Sequence, residues 1–198
     1  SARLAVAVAV AGVALSLTGC NKTALSASPP LLALPPPPPG VALPRLLVIN
    51  SCPAQTIWIA SSQQVPGERN VRILPGQNHS FYIPNAGLSS TRFWPKLWCN
   101  ELGEKCSMGS SGGPGQACPD QGCAPPVDTK FEATFGRVGV DCATDNSGCD
   151  WWDTSAVDGY TLPYKLEVDG KCPQGRALQC LGLSLADCPT AEWLGASQ

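Results

Sequence analysis

Ten cysteines follow residue 50 in a chain of 198 residues, and their density constrains the possible fold more than any other feature. A domain of about 150 residues with so many cysteines is typical of a core that is cross-linked by disulfides. Disulfides persist outside the reducing cytosol. The sequence therefore predicts an exported domain.

The first twenty residues have the features of an export signal. Residues 4–17 form an apolar run behind Arg3 that is too short to span a bilayer. The run ends in Leu17-Thr18-Gly19-Cys20, which resembles the lipobox of bacterial lipoproteins. That resemblance implies a lipid anchor on Cys20, which leaves an even number of cysteines in the domain. An ordinary secretory peptide and an uncleaved anchor are the alternatives.

Residues 21–45 differ in composition from the rest of the chain. They consist mainly of Pro, Ala, Leu and Ser and include the five consecutive prolines Pro35–Pro39. Proline donates no backbone hydrogen bond and favours polyproline II, so the composition predicts an extended linker. A disordered leader without a spacing role is the alternative. The remaining residues, 46–198, suit one domain.

The charge of this domain limits the classes of ligand that it is expected to bind. Residues 46–198 carry ten Lys or Arg against fifteen Asp or Glu, a net charge of −5. Between Asp120 and Asp169 there are ten carboxylates and three basic side chains. This balance disfavours nucleic acid and anionic lipid headgroups, because both carry negative charge. A neutral polyol or a cationic ligand fits better.

Local patterns predict a mostly β domain. Helical periodicity is nearly missing, and Pro and Gly interrupt every apolar run of more than about ten residues. Several short strands with frequent turns favour a sandwich. The candidate strands are Leu46–Asn50, Thr56–Ala60, His79–Ile83, Arg92–Trp98, Lys130–Phe135 and Pro163–Val168.

Five segments resemble the thaumatin-like proteins and occur in the order of that family. They are Asn50–Trp58, Pro75–Pro84, Arg92–Cys99, Pro125–Phe135 and Asp150–Pro163. The last segment, which begins Asp-Trp-Trp-Asp-Thr-Ser, is the most similar. The resemblance extends over residues 46–194 and implies a thaumatin-like β-sandwich with disulfide-clipped loops. It also implies that the family's C-terminal part lies beyond Gln198.

The resemblance implies an acidic cleft built from one Arg, one Glu and three Asp. The matching positions are Arg92, Glu132, Asp153 and Asp158, and the fifth acidic residue is expected beyond Gln198. Such a cleft suits two kinds of chemistry: carboxylates can hydrogen-bond sugar hydroxyls, or they can split a glycosidic bond as a catalytic pair. Glu132 and Asp158 would form that pair.

We expect the cleft to bind β-1,3-glucan or a related wall polysaccharide, with an antifungal or defence role. A weak endo-β-1,3-glucanase is the second hypothesis, and a structural surface protein without an active cleft is the third. The Arg beside the acids favours binding, because it keeps carboxylates ionised whereas a general acid needs a raised pKa.

Each candidate residue also has a purely structural interpretation. Arg92 could pair with an acid across the sheet, Asp153 could cap local backbone, and Asp158 could belong to a turn. Four tryptophans could stack on sugar rings, although Trp in a small sandwich more often fills the core. They are Trp94, Trp98, Trp151 and Trp152.

The cysteines divide into local pairs and cysteines whose family partners are distant in sequence. The resemblance implies the disulfides Cys99–Cys106 and Cys118–Cys123, whereas Cys142–Cys149 has no family counterpart and would clip an inserted loop. The family partners of the other four cysteines are expected downstream of Gln198. These four are Cys52, Cys172, Cys180 and Cys188.

A zinc site competes for some of the same thiols. Cys118, Cys123, Cys142 and Cys149 could supply four thiolates, but export and the wide spacing within each pair argue against a metal. We expect no metal, no cofactor and no nucleic-acid partner. The protein is expected to be a monomer whose partners are a polysaccharide and, through Cys20, a membrane.

Overall fold

Backbone pairing in this chain is almost entirely that of β-strands. A computed structural model describes residues 3–8, 41–65, 68–110, 129–157, 159, 162–169 and 177–179. Among them are ten strands and one 3-10 turn, Asn146–Gly148. The strands are β1 (Arg3–Val8), β2 (Val41–Asn50), β3 (Ile57–Val65), β4 (Glu68–Ile73), β5 (Asn78–Pro84), β6 (Leu88–Lys96), β7 (Lys130–Phe135), β8 (Trp151–Ser155), β9 (Lys165–Asp169) and β10 (Ala177–Gln179).

The strands form two five-stranded sheets. The first has the order β10-β9-β1-β2-β5, and the second has the order β4-β3-β6-β7-β8. Only β1 and β2 pair in parallel among the described strands. Apolar side chains of both sheets make one core, which includes Leu46, Val48, Ile59, Phe81, Phe93, Phe131 and Leu166. The predicted mostly β, thaumatin-like fold with disulfide-clipped loops is confirmed.

The six strands predicted from the sequence all exist, but some of their ends differ. β6 ends at Lys96 rather than Trp98, because Trp98 has a left-handed φ of 52° and the chain leaves the sheet there. β2 begins at Val41, inside the segment that the composition assigns to the linker. Pro44 is accommodated in β2 at a register shift towards β5, where the ladder is already interrupted.

Four strands have no counterpart among the predicted ones: β1, β4, β8 and β10. β4 reads Glu-Arg-Asn-Val-Arg-Ile, and it lies at the edge of its sheet. β1 lies between β2 and β9, within the residues that the sequence analysis assigns to the export signal. Cys20 and its lipidation lie outside the described residues, so the signal and the anchor stay predictions. Within the part that the structure describes, no helix is long and apolar enough to cross a membrane.

Two of the three predicted local disulfides are present. Cys99 bonds to Cys106, and Cys142 bonds to Cys149. Cys118–Cys123 lies outside the described residues, as do Cys172, Cys180 and Cys188. Cys52 is buried directly after β2, and its amide donates to Asn50 Oδ1 at 3.1 Å.

The loop closed by Cys99–Cys106 covers part of the outer face of the second sheet. Gly103 has a φ of +72°, and a Cβ there would lie 2.4 Å from the Trp58 ring, so only glycine fits against β3. Asn70 of β4 donates to the Gly103 carbonyl at 3.1 Å. Trp94 of β6 donates through Nε1 to the Gly109 carbonyl at 3.1 Å. Within the part of the chain that the structure describes, residues 97–110 cover one end of this face and leave the other end open.

Candidate functional site

Three charged side chains form a row across the open end of the second sheet. Arg92 of β6 is in register with Glu132 of β7, and Glu132 is in register with Asp153 of β8. Residues opposite each other in a ladder point to the same face. Arg92 Nε donates to Glu132 Oε1 in an ion pair. We call Arg92, Glu132 and Asp153 the charged row.

Strand alternation explains why the charged row faces outward. Its neighbours Phe93 and Phe131 point to the opposite side and are buried in the core. Further along the outer face, Trp94 and Lys96 are buried under residues 97–110, each about 1 % exposed. Arg92, by contrast, has a side chain that is 48 % exposed. The row is therefore the part of this face that solvent and a ligand can reach.

The two carboxyl groups of the row have different electrostatic environments. Partial burial raises the pKa of the Asp153 carboxyl, the adjacent Glu132 raises it further, and Arg92 partly offsets the rise. Asp153 thus holds a proton more readily than an isolated aspartate does. Glu132 is bonded directly to the guanidinium of Arg92. The row can present several hydrogen-bond acceptors and one guanidinium, and the raised pKa of Asp153 favours its carboxyl as the one that becomes a donor by protonation.

A buried arginine fixes the start of β8. Arg45 of β2 donates to the Gly136 carbonyl at 2.6 Å and forms an ion pair with Asp150, the residue before β8. The Gly136 amide donates to the same Asp150 oxygen at 2.8 Å. The Arg45 guanidinium also lies 5.3 Å from the centre of the Phe135 ring. These contacts connect the two sheets beside the strand that carries Asp153.

A second contact holds the far end of β8. The Tyr164 hydroxyl donates to Thr154 Oγ1 at 2.7 Å, and Tyr164 is buried just before β9 of the first sheet. Thr154 is adjacent to Asp153 in sequence and points to the opposite side of the strand. β8 is therefore attached to the first sheet at both ends, which sets the position of Asp153 relative to Glu132.

Three of the four candidate site residues predicted from the sequence are brought together. Arg92, Glu132 and Asp153 form the charged row, whereas Asp158 lies outside the described residues. Arg92 pairs with an acid across the sheet, as its structural interpretation predicted, while its role in ligand binding stays a prediction. The sequence analysis missed Arg45, Tyr164 and their contacts with β8. No local motif marks them, because each acts across a separation that only the folded chain closes.

An apolar cavity of about 40 Å³ lies on the opposite side of the same strands. Its lining includes Phe93, Phe131, Leu162 and Tyr164, all of which belong to the interior between the sheets. The cavity is a feature of the core and does not reach the charged row. Among the described residues, no group of three or more His, Cys, Asp or Glu side chains could hold a metal ion.

Comparison with known proteins identifies the family. The model of the thaumatin family matches residues 50–195, which include every strand of the second sheet and the whole charged row. The chain belongs to the thaumatin family. Its disulfides and this membership both indicate a location outside the cytosol.

Individual relatives of this thaumatin-family chain are plant proteins. Thaumatin-like protein 1 of Arabidopsis thaliana is 31 % identical over 63 % of the chain and 48 % of its own length. Osmotin-like protein OSML15 of Solanum commersonii is 28 % identical over 72 % of the chain and 52 % of its own length. Pathogenesis-related protein 5 of A. thaliana is 30 % identical over 71 % and 55 %. The chain spans about half the length of these relatives.

Proposed function

We propose that this protein binds β-1,3-glucan or a related wall polysaccharide through the charged row, in a defence-related role outside the cytosol. The observation that carries the proposal is the register of Arg92, Glu132 and Asp153 across three adjacent strands. Side chains on paired strands have Cβ atoms about 5 Å apart, which is close enough for two of them to reach hydroxyl groups of the same sugar. Membership of a family that includes a pathogenesis-related protein supports the defence role.

Binding is favoured over hydrolysis by the ion pair within the row. A carboxylate that is held by a guanidinium is well placed to accept hydrogen bonds but is a weakened nucleophile. The placement of Asp153 beside Glu132 favours hydrolysis, because partial burial and the neighbouring carboxylate raise the pKa of Asp153 and a glycosidase needs a protonated acid beside a carboxylate. Endo-β-1,3-glucanase activity is therefore the second candidate. In it Glu132 acts with Asp158, or with Asp153, whose carboxyl lies directly beside it.

The test uses amide variants that keep shape and remove charge. Glu132→Gln and Asp153→Asn should each reduce retention on insoluble β-1,3-glucan about tenfold or more, since each removes an acceptor that is hard to replace. Asp158→Asn tests the residue assigned by resemblance alone. Glu167→Gln is the matched control, because Glu167 is an exposed carboxylate on β9 of the other sheet. The unmodified protein should release no reducing sugar.

Two outcomes would change the conclusion. If the unmodified protein releases reducing sugar and one amide variant abolishes turnover while retaining glucan, the protein is a glucanase. If all three variants are retained like the Glu167→Gln control, the charged row has no part in ligand binding, and a structural surface role replaces the proposal.

We also propose that the domain acts as a monomer on the outside of a membrane, anchored through a lipid on Cys20. The support is the apolar run that ends at Cys20 and the proline-rich residues that separate it from the sheets. The net negative charge of residues 46–198 is the support for excluding nucleic acid as a partner.

A further inference from the structure

An exposed indole lies next to the charged row. Trp151 is the first residue of β8 and is 62 % exposed, whereas Trp94 on the same face is 1 % exposed and hydrogen-bonded under residues 97–110. Trp152 is half-buried and packs against the core. Trp98 is 52 % exposed, but it lies beyond the end of β6 and outside the sheet. Trp151 is thus the tryptophan that adjoins the row on the open face.

Strand geometry fixes the spacing between this indole and the carboxylates. Trp151 and Asp153 are two residues apart in β8, so both point outward with about 6.5 to 7 Å between their positions. Trp151 is in register with Thr134, which is two residues from Glu132 on β7. The indole and the two carboxylates therefore occupy neighbouring positions on one face of the sheet, about one sugar ring apart.

Contacts on both sides of Trp151 restrain the backbone that carries this indole. Asp150, the residue before Trp151, is held by Arg45 and by the Gly136 amide. Thr154 is held by Tyr164. Because the backbone on both sides is fixed, ordering the indole on a ligand costs only the conformational entropy of its two side-chain torsions.

A pyranose ring has two chemically different parts that match this arrangement. Its axial C–H groups form an apolar face, and its hydroxyl groups form a polar edge. An indole binds the first by burying apolar area against its π face, and carboxylates bind the second by accepting hydrogen bonds. Glucose with a β linkage has all of its ring substituents equatorial, so its faces carry only C–H. An axial hydroxyl, as in mannose, interrupts one face.

We propose that Trp151 stacks on a glucopyranose ring whose hydroxyl groups are bound by Asp153 and Glu132. The stacked face is the one that the axial hydroxyl of mannose would interrupt, so this contact selects β-glucans over mannans. The inference rests on the proposed function, since it takes the charged row as the polysaccharide site. It adds an aromatic subsite and a chemical basis for discrimination between sugars.

The experiment compares Trp151→Ala, Trp151→Phe and the matched control Trp98→Ala, which removes a similarly exposed indole elsewhere. Titration calorimetry with a soluble β-1,3-glucan and with a soluble mannan gives both affinities. Trp151→Ala should weaken glucan binding about tenfold or more, whereas Trp151→Phe should stay within about threefold of the unmodified protein. Trp98→Ala should bind normally. Near-ultraviolet circular dichroism establishes that each variant is folded.

The possible failures of the two proposals are distinguishable. If the unmodified protein binds glucan, Glu132→Gln weakens binding and Trp151→Ala does not, the stacking contact is wrong while the charged row stands. Equal affinities for glucan and mannan overturn the selectivity. If the folded, unmodified protein binds neither polysaccharide, the proposed function and the subsite fall together.

Discussion

At the scale of single residues, the most unusual side chain of this structure is a buried lysine. Lys96 points to the outer face of β6, yet residues 97–110 cover it and leave it about 1 % exposed. Desolvation lowers its pKa from 10.5 to about 8, against an opposing attraction from Glu104. Burying an ammonium group costs free energy, so the folded state favours the neutral amine more than the unfolded chain does.

This shift predicts a pH dependence of stability. Between pH 8 and about 10, Lys96 is protonated mainly in the unfolded chain, so the free energy of unfolding should rise with pH. The slope should approach about 1.4 kcal/mol per pH unit. Below pH 8 Lys96 is protonated in both the folded and the unfolded state, so its contribution to the free energy of unfolding no longer changes with pH. Urea denaturation at several pH values measures the slope.

The comparison needs variants that isolate Lys96. Lys96→Met keeps most of the side-chain volume without the titrating group, so the rise between pH 8 and 10 should largely disappear. Lys105→Met, which removes an exposed lysine of the same loop, should leave the rise in place. An unchanged slope in Lys96→Met would show that other groups titrate in this range and that the assignment to Lys96 is wrong.

At the scale of elements, the loop before β8 connects a disulfide to the candidate site. Residues 136–150 begin at the Gly136 backbone, which contacts Arg45 and Asp150, and contain Cys142–Cys149. Hydrogen bonds also close the loop, including Arg137 N to Ser147 O at 2.7 Å. The disulfide therefore adds a covalent constraint to a loop that already has a defined shape.

We expect the double variant Cys142→Ser/Cys149→Ser to lose about 2 to 3 kcal/mol of stability, because a closed loop of eight residues restricts the unfolded chain. Chemical denaturation under non-reducing conditions measures the loss. Glucan affinity should change little, since Arg45 holds Asp150 without help from the disulfide. A loss of affinity with unchanged stability would contradict this division of roles.

The elements also show how far the sequence alone leads. Short apolar runs between turn residues predicted six strands correctly, and the order of five motifs predicted the fold and three members of the charged row. The side-by-side placement of Glu132 and Asp153 depends on ladder register, which no spacing within either segment encodes. β1 was not predicted because an apolar run near the start of a chain reads equally as an export signal and as a buried strand.

At the scale of the whole molecule, the two interpretations of residues 3–8, as strand β1 and as part of an export signal, predict different mature chains. The structure places Arg3–Val8 between β2 and β9, whereas cleavage before Cys20 would remove the same residues. The two uses exclude each other. A mature chain that begins at Cys20 has to leave the β2 and β9 edges facing a vacated position.

The anchor hypothesis makes a direct prediction for cells that process bacterial lipoproteins. The unmodified protein should sediment with membranes and begin at an acylated Cys20, and Cys20→Ala should be released from that fraction without losing its fold. Intact-mass analysis and N-terminal sequencing provide the measurements. An exported, soluble protein that retains residues 3–8 would support β1 as a permanent strand and contradict the lipobox interpretation.

The charged row forms only when β6, β7 and β8 pair in their native register. A slip of one residue in the pairing of β7 would turn Glu132 inward and Phe131 outward, because strand side chains alternate between faces. Misfolded chains with a slipped β7 register would consequently lack the row, even if their strand content were normal. The fraction of a refolded preparation that a glucan column retains should therefore report the yield of natively paired molecules.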